Sequence, residues 1–315
     1  MGKFCLFPIV KKNFWYHYKK QMASLWTTEE VDFSEDYKDF REVNEHVKHS
    51  VKMILAFFAN SDGLVNYNIK NNLLNDFSNE ITYTYTFQMF MENIHNETYS
   101  LMIDTLLKDG QEKDDIFNSL ETIDVIKKIN EWGLKYSEGD YPISVKILVF
   151  ICFEGIMFSG AFAFIYWIKF VLFQGQTRLK GLIKSNELIS RDESMHVDFG
   201  IDLFSETNLT DNLPVEDIRK IIIECVELTT EFNNEVLQIK YTGMNIDSMN
   251  EYTKYMGDRI IVLLGYEKIY KATNNFNFMN TIGMVQKTNF HESRPTEYQK
   301  SVYCDITNTV FTDDF

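Results

Sequence analysis

Proline, glycine and cysteine are scarce in this sequence. Four prolines and fourteen glycines occur in 315 residues, and no Pro-rich or Ser/Gly-rich stretch marks a boundary between two folded domains. The four cysteines are scattered and form no C-x-x-C pair, which argues against zinc fingers and iron–sulfur clusters. The N-terminus also lacks the layout of a signal peptide. These absences predict a reduced, cytoplasmic location.

Positive charge is in deficit as well. Lysine and arginine number 31 against 46 acidic residues, which gives a formal net charge of −15. Such a surface repels a nucleic-acid backbone or an anionic membrane, so we expect neither as a partner. A Gly-rich phosphate loop is missing too, and we predict no nucleotide site in this protein.

Long apolar runs are absent except for residues 147–173. This run could cross a bilayer by its length alone. However, it contains Glu154, and a carboxylate inside hydrocarbon costs roughly 2.5 kcal/mol or more. The better interpretation is a buried central helix whose carboxylate has a partner such as a metal ion.

Apolar residues recur at spacings of three and four over most of the sequence, whereas strand-like alternation is sparse. The pattern predicts an all-α protein, with Ser78 and Ser185 as helix N-caps. Periodicity is lost after about residue 274, so we expect a helical domain over residues 1–274 and a mobile tail over 275–315. The predicted helices span residues 36–60, 78–107, 144–173, 185–204, 215–242 and 248–264.

Two Glu-x-x-His pairs are the first sign of chemistry. Glu92 and His95 are three residues apart, as are Glu193 and His196, and residues at this spacing share one face of a helix. Carboxylate oxygen and imidazole nitrogen together suit iron or manganese. In a sequence this acidic, the two pairs alone could arise by chance.

Two isolated carboxylates complete the pattern. Asp62 and Glu154 lie among apolar residues, and their unpaired burial would cost several kcal/mol. Carboxylate, Glu-x-x-His, carboxylate and Glu-x-x-His thus follow one another along four predicted helices. Di-iron carboxylate proteins use this donor set. The sequence therefore predicts a ferritin-like helical bundle with a di-metal carboxylate site in its core.

Tyr99 follows His95 by four residues, one helical turn, so its phenol should face the same interior. By spacing alone, such a tyrosine is more often an ordinary core residue with a bonded hydroxyl.

Nearly the whole sequence resembles the radical-bearing small subunit of class I ribonucleotide reductase, eukaryotic type. The resemblance is carried by LWTTEEVD, LAFFANSDG, MENIHNETYSLMIDT, FEGIMFSG and SNELISRDESMH. It implies two iron ions per chain, with manganese as the alternative metal, and a stable radical on Tyr99. The implied metal ligands are Asp62, Glu92, His95, Glu154, Glu193 and His196.

The same resemblance assigns further residues. Phe158, Phe162 and Ile189 would shield the radical. Trp26 and Asp192 would carry the oxidising equivalent from the metal site, and Tyr298 would pass it to the large subunit. Without the resemblance, Trp26 is a partly buried tryptophan and Asp192 a carboxylate that orients a ligand histidine.

The resemblance also implies partners. The closing residues Phe311 to Phe315 match a peptide that docks on the large subunit, where ribonucleoside diphosphates are reduced for deoxyribonucleotide synthesis. A homodimer, or a heterodimer with a related small subunit, is expected. Relative to the family, the Asp62 to Glu92 interval is one residue short, which predicts an irregularity in the second of the long helices.

Three alternatives remain open from the sequence. A desaturase or hydroxylase component of the same four-helix plan would leave Tyr99 passive. A paralogous small subunit would assist assembly without a radical, although such proteins commonly lose ligands. A ferritin-like iron store ranks last because ferritin chains are much shorter and have no docking tail.

Overall fold

Helices carry the whole fold that the structure describes. The computed structural model describes residues 5–74, 77–238, 240–241 and 243–279, and no β-strand occurs among them. Residues Asn277–Phe315 form one unit and Met1–Phe276 another, larger one. Its α-helices are α1 Lys12–Ala23, α2 Asp36–Glu42, α3 Glu45–Asn68, α4 Asn79–Leu106, α5 Gly110–Phe117, α6 Ser119–Thr122, α7 Asp124–Glu138, α8 Ile143–Cys152, α9 Phe158–Trp167, α10 Lys180–Asp211, α11 Val215–Val236 and α12 Ile246–Leu263.

Four segments surround the centre of the protein: α3, α4, α10, and α8 together with α9. Helix α3 packs along α4, α10 packs along α8, and α10 also contacts α4 and α9. Each buries the stripe of apolar residues that predicted it. The packing brings the inward faces of all four segments together.

The central segment is one nearly continuous apolar helix. Helices α8 and α9 are joined by a π-helical turn at Phe153–Met157, and a second π-turn at Ile168–Leu172 ends the segment. Ile143–Leu172 is long and apolar enough to span a membrane, but its most apolar stretch is entirely buried inside the protein. The prediction of a buried central helix is confirmed.

The start of α10 was predicted wrongly. The helix begins at Lys180, and Ser185 lies inside it with its hydroxyl donating to the Gly181 carbonyl at 2.8 Å. The first turn is capped from α2, because the Asp36 carboxylate accepts from the N–H groups of Gly181 and Leu182 at 3.0 and 2.7 Å. Because the capping residue is so distant in the sequence, the residues around Lys180 carry no N-cap pattern from which the helix start could be predicted.

The irregularity expected in the second long helix is also absent. Helix α4 is an uninterrupted α-helix from Asn79 to Leu106. The irregular backbone instead precedes it, where α3 ends in a π-turn at Ile69–Leu73. Asp62 therefore lies in regular α-helix before the π-turn, and Glu92 and His95 lie in regular α-helix after it.

Two longer helices, α1 and α7, were not predicted from the sequence. Helix α7 does carry apolar residues at helical spacing, namely Val125, Ile129, Trp132 and Tyr136. It packs against α3, α8 and α11, so it covers part of the core formed by the central segments.

Candidate metal centre

Six buried side chains converge where the four central segments meet. None is more than 7% exposed. Helix α3 supplies one carboxylate, α4 and α10 each supply a Glu-x-x-His pair, and the π-turn between α8 and α9 supplies the fourth carboxylate. The six are Asp62, Glu92, His95, Glu154, Glu193 and His196.

The donor atoms form two overlapping groups, and within each group they lie no more than 4.8 Å apart. The groups have Glu92 in common, so they describe two adjacent cation positions. One group is Asp62, Glu92 and His95, and the other is Glu92, Glu154, Glu193 and His196.

Glu92 and Glu193 each face both histidines. Glu92 Oε2 lies 3.2 Å from His95 Nδ1 and its Oε1 lies 3.1 Å from His196 Nδ1. Glu193 does the same, with Oε1 at 3.1 Å from His95 Nδ1 and Oε2 at 3.1 Å from His196 Nδ1. A carboxylate with one oxygen towards each of two positions can bridge two cations.

The donor set fits a pair of divalent cations. Both oxygens of Asp62 are buried with no hydrogen-bond partner among the described residues, which is costly for a carboxylate unless a cation compensates it. Burial raises the pKa of Asp62 and of Glu154 well above the usual range. The four carboxylates would balance the charge of two divalent ions.

His95 is oriented so that its Nδ1 atom can bind a cation. His95 Nε2 lies 3.2 Å from Asp192 Oδ2 and donates its hydrogen there, which leaves Nδ1 to face the carboxylates. Burial alone would lower the pKa of His95, but its hydrogen bonds to Asp192, Glu193 and Glu92 outweigh this and raise the pKa well above its ordinary value. The Nδ1 atom therefore holds a positive partner, either a proton or a metal ion.

Tyr99 lies beside this centre in an aromatic enclosure. It is 2% exposed, and its hydroxyl has no hydrogen-bond partner among the described residues. The Phe58 ring stacks on it at 4.8 Å between centroids, and Phe158 and Phe162 pack against Phe58 at 5.3 and 5.0 Å. Ile189 is also fully buried. Burial first, and then the nearby Asp62 charge, raise the pKa of the Tyr99 phenol well above 10.

A connected set of hydrogen bonds leads from the centre to the protein surface. Trp26 Nε1 donates to Asp192 Oδ2 at 2.7 Å, and the Trp26 ring stacks over His95 at 6.0 Å. The Arg191 guanidinium binds Asp192 Oδ1 through Nε at 3.1 Å and Nη2 at 3.0 Å, and Nη2 also donates to the Ser24 carbonyl at 2.6 Å. Arg191 is about one-third exposed, so the connection reaches the surface.

Three residues of this centre were missed from the sequence: Phe58, Gln88 and Arg191. Gln88 Nε2 donates to Glu154 Oε1 at 2.7 Å. Phe58 precedes Asp62 by four residues and Gln88 precedes Glu92 by four, so helical spacing could have placed each on the ligand face. Of the residues predicted to act, Tyr298 and the docking residues Phe311 to Phe315 lie outside the described residues.

Comparison with known proteins identifies the family. The family model for the small chain of ribonucleotide reductase matches residues 3–277. A ribonucleoside-diphosphate reductase small chain of Arabidopsis thaliana is 44% identical over 300 residues, which cover 95% of this chain and 86% of the relative. Subunit M2 of the Danio rerio enzyme is 40% identical, over 99% of this chain and 80% of that relative.

Solved structures agree on the fold. The Rnr4 homodimer of Saccharomyces cerevisiae ribonucleotide reductase aligns with a TM-score of 0.77 and 29% identity, over 90% of each chain. Dimanganese(II)-NrdF of Streptococcus sanguinis, 19% identical, aligns with a TM-score of 0.76 over 87% of this chain and 96% of that one. The predicted all-α, ferritin-like fold is confirmed, and the chain belongs to the ribonucleotide reductase small-chain family.

Proposed function

We propose that this chain, a small subunit of ribonucleoside-diphosphate reductase, holds two iron ions at the six-residue centre and keeps a stable radical on Tyr99. The observation that carries the proposal is the pair of carboxylates, Glu92 and Glu193, each facing both histidines at 3.1–3.2 Å. Such bridging serves two ions rather than one. The enclosed phenol of Tyr99 beside them gives the centre a group to oxidise.

Iron is the metal proposed, and manganese is the alternative. Oxygen and nitrogen donors without thiolate suit both, and a structural neighbour from Streptococcus sanguinis is a dimanganese(II) protein. We favour iron because the sequence motifs resemble the eukaryotic-type subunits. Metal analysis of the protein purified from its own cells distinguishes the two.

The bound ions would supply the oxidising power by reacting with dioxygen. Tyr99 would give one electron to that oxidised centre and its phenolic proton to a basic oxygen there. Asp62 is the carboxylate whose charge acts most strongly on the phenol. The Phe58 ring stacks on Tyr99 and is backed by Phe158 and Phe162, so this stack would keep water from one face of the oxidised ring. An oxidised phenol with no hydrogen donor beside it has no ready source from which to recover its hydrogen.

Trp26, Asp192 and His95 would carry the oxidising equivalent between the centre and the surface. Asp192 Oδ2 receives both the Trp26 indole hydrogen and the His95 Nε2 hydrogen, so a proton can shift within this pair of hydrogen bonds as an electron moves. Burial would raise the pKa of Asp192, but His95 and Arg191 lower it below the ordinary value and keep the carboxylate ionised. Tyr298 would continue the path to the large subunit.

The large subunit is the proposed partner, bound through Phe311 to Phe315. The apolar side chains at both ends of this peptide suit a groove in which the tail orders on binding. We expect the iron-loaded protein plus a large subunit to reduce ribonucleoside diphosphates. The protein without its last five residues should bind iron equally but lose this turnover. Equal turnover by both would contradict the docking role.

A second copy of the chain is the other proposed partner, on the exposed face of α4. Tyr83, Phe90 and Leu101 are 39%, 49% and 41% exposed, and their spacings of seven and eleven residues align them along one side of the helix. The yeast relative is a homodimer. Sedimentation should show a dimer that Phe90→Asp dissociates and that Phe117→Asp, an equally exposed phenylalanine on α5, leaves intact.

We also infer a reduced intracellular compartment, the cytoplasm. The described cysteines Cys5, Cys152 and Cys225 are free thiols, and the latter two are buried. Fractionation of the source cells tests this directly.

A further inference from the structure

Glu154 is held differently from the two bridging carboxylates. Glu92 and Glu193 approach the histidine Nδ1 atoms at 3.1–3.2 Å. Glu154 Oε1 reaches only to 3.9 Å from His196 Nδ1. Its closest partner is instead the amide group of Gln88, which donates to the same oxygen at 2.7 Å.

Few other residue types could replace Gln88 at this position. It lies on α4 one turn before Glu92 and is 3% exposed, so its side chain has no access to bulk water. Its amide is a neutral donor and leaves unchanged the balance between four carboxylates and two divalent ions. A lysine in its place would add a positive charge, and an apolar residue would release Glu154.

A small cavity adjoins the same carboxylate. It has a volume of about 20 Å³ and is lined by Gln88, Glu154 and His196 together with apolar and aromatic side chains, including Tyr85 and Phe199. A space of this size holds one water-sized molecule. Glu154 therefore has the metal position on one side and room for a small ligand nearby.

We propose that Gln88 is a positioning residue that holds the Glu154 carboxylate in one orientation, so that it would serve the cation position shared with Glu92, Glu193 and His196 through one oxygen and leave that position accessible from the cavity. Without the amide, the carboxylate would be free to turn and offer both oxygens, which would close that access. The ligand admitted is a water-sized molecule such as water or dioxygen. This inference rests on the proposed function, since it presupposes cations at the centre.

The test is a Mn(II) titration followed by EPR, on wild type, Gln88→Met and Gln21→Met. Gln21 is the matched control because it is 2% exposed and its amide has no hydrogen-bond partner among the described residues. Wild type and Gln21→Met should bind two ions per chain with equal affinities. In Gln88→Met one ion should bind about 10–100-fold more weakly than in wild type, as loss of such outer partners typically produces, while the affinity for the other stays within about threefold.

A crystal structure of Mn(II)-loaded Gln88→Met supplies the second readout, with Glu154 expected to bind through both oxygens. Unchanged affinities with an unchanged Glu154, or an equal change at both positions, overturn the inference while leaving the proposed function intact. Failure of wild type to bind two ions overturns the proposed function and this inference with it. If Gln88→Met does not fold, Gln88→Asn, whose shorter amide cannot reach Glu154, carries the same expectations.

Discussion

The surroundings of Tyr99 and of Trp26 differ in polarity: the first are apolar and the second are hydrogen-bonded. On the Tyr99 side, the buried phenol has no hydrogen-bond partner among the described residues and stacks on Phe58, which in turn packs against Phe158 and Phe162. On the Trp26 side, hydrogen bonds run without interruption from His95 through Asp192 to Trp26 and Arg191. An apolar enclosure isolates an oxidised group, whereas a hydrogen-bonded series of groups moves protons with electrons. One side is therefore suited to storage and the other to transfer.

Breaking the transfer side should have the largest effect. Trp26→Phe removes the indole donor to Asp192, and we expect turnover with the large subunit to fall by at least roughly 100-fold, the scale of a lost proton-transfer step. The radical on Tyr99 should still form. The measurement is turnover alongside the EPR signal.

Trp132→Phe is the matched control for that change. Trp132 also donates to a carboxylate, Glu224 Oε2 at 2.9 Å, but lies outside the connection. Its loss should leave turnover per radical unchanged. Equal losses in the two variants would mean that Trp26 matters only for stability.

Opening the storage side should have an intermediate effect. Phe58→Leu thins the ring stack over Tyr99, and we expect the radical to decay several-fold faster while the free energy of unfolding falls by roughly 1–2 kcal/mol. Phe164→Leu is the control, because Phe164 is equally buried but contacts Trp167 and Tyr241 rather than Tyr99 or Phe58. It should lose similar stability and keep the radical lifetime. Identical lifetimes in both variants would refute a shielding role for Phe58.

The smallest effect is expected at the outer end of the transfer side. Arg191→Met removes one of several contacts to Asp192, so turnover at neutral pH should fall by about tenfold or less. Because Arg191 helps to lower the pKa of Asp192, its loss raises that pKa, and the carboxylate takes up a proton at a higher pH. The acid limb of the pH–turnover profile should therefore move to higher pH. An unmoved limb would show that Asp192 does not limit transfer.

The metal ligands could be predicted from the sequence better than the residues that hold those ligands and their helices in place. The ligand pairs could be predicted because three-residue spacing places Glu92 with His95, and Glu193 with His196, on one helix face. The partners of those ligands could not, because the bond from Gln88 to Glu154 joins different helices. The start of α10 failed for the same reason, since its cap, Asp36, is supplied by α2. Local patterns predict faces and periods, whereas contacts between distant segments depend on packing.

The radical role of Tyr99 is tested by low-temperature EPR with optical absorption, after Fe(II) and dioxygen are added to metal-free protein and to its Tyr99→Phe variant. We expect about two iron ions bound per chain in both proteins and a tyrosyl radical signal in wild type alone, because Tyr99→Phe removes only the phenolic hydroxyl and leaves all six ligands in place. Iron uptake without a radical in either protein would contradict this role and favour an assisting paralogue or another oxidase of this fold.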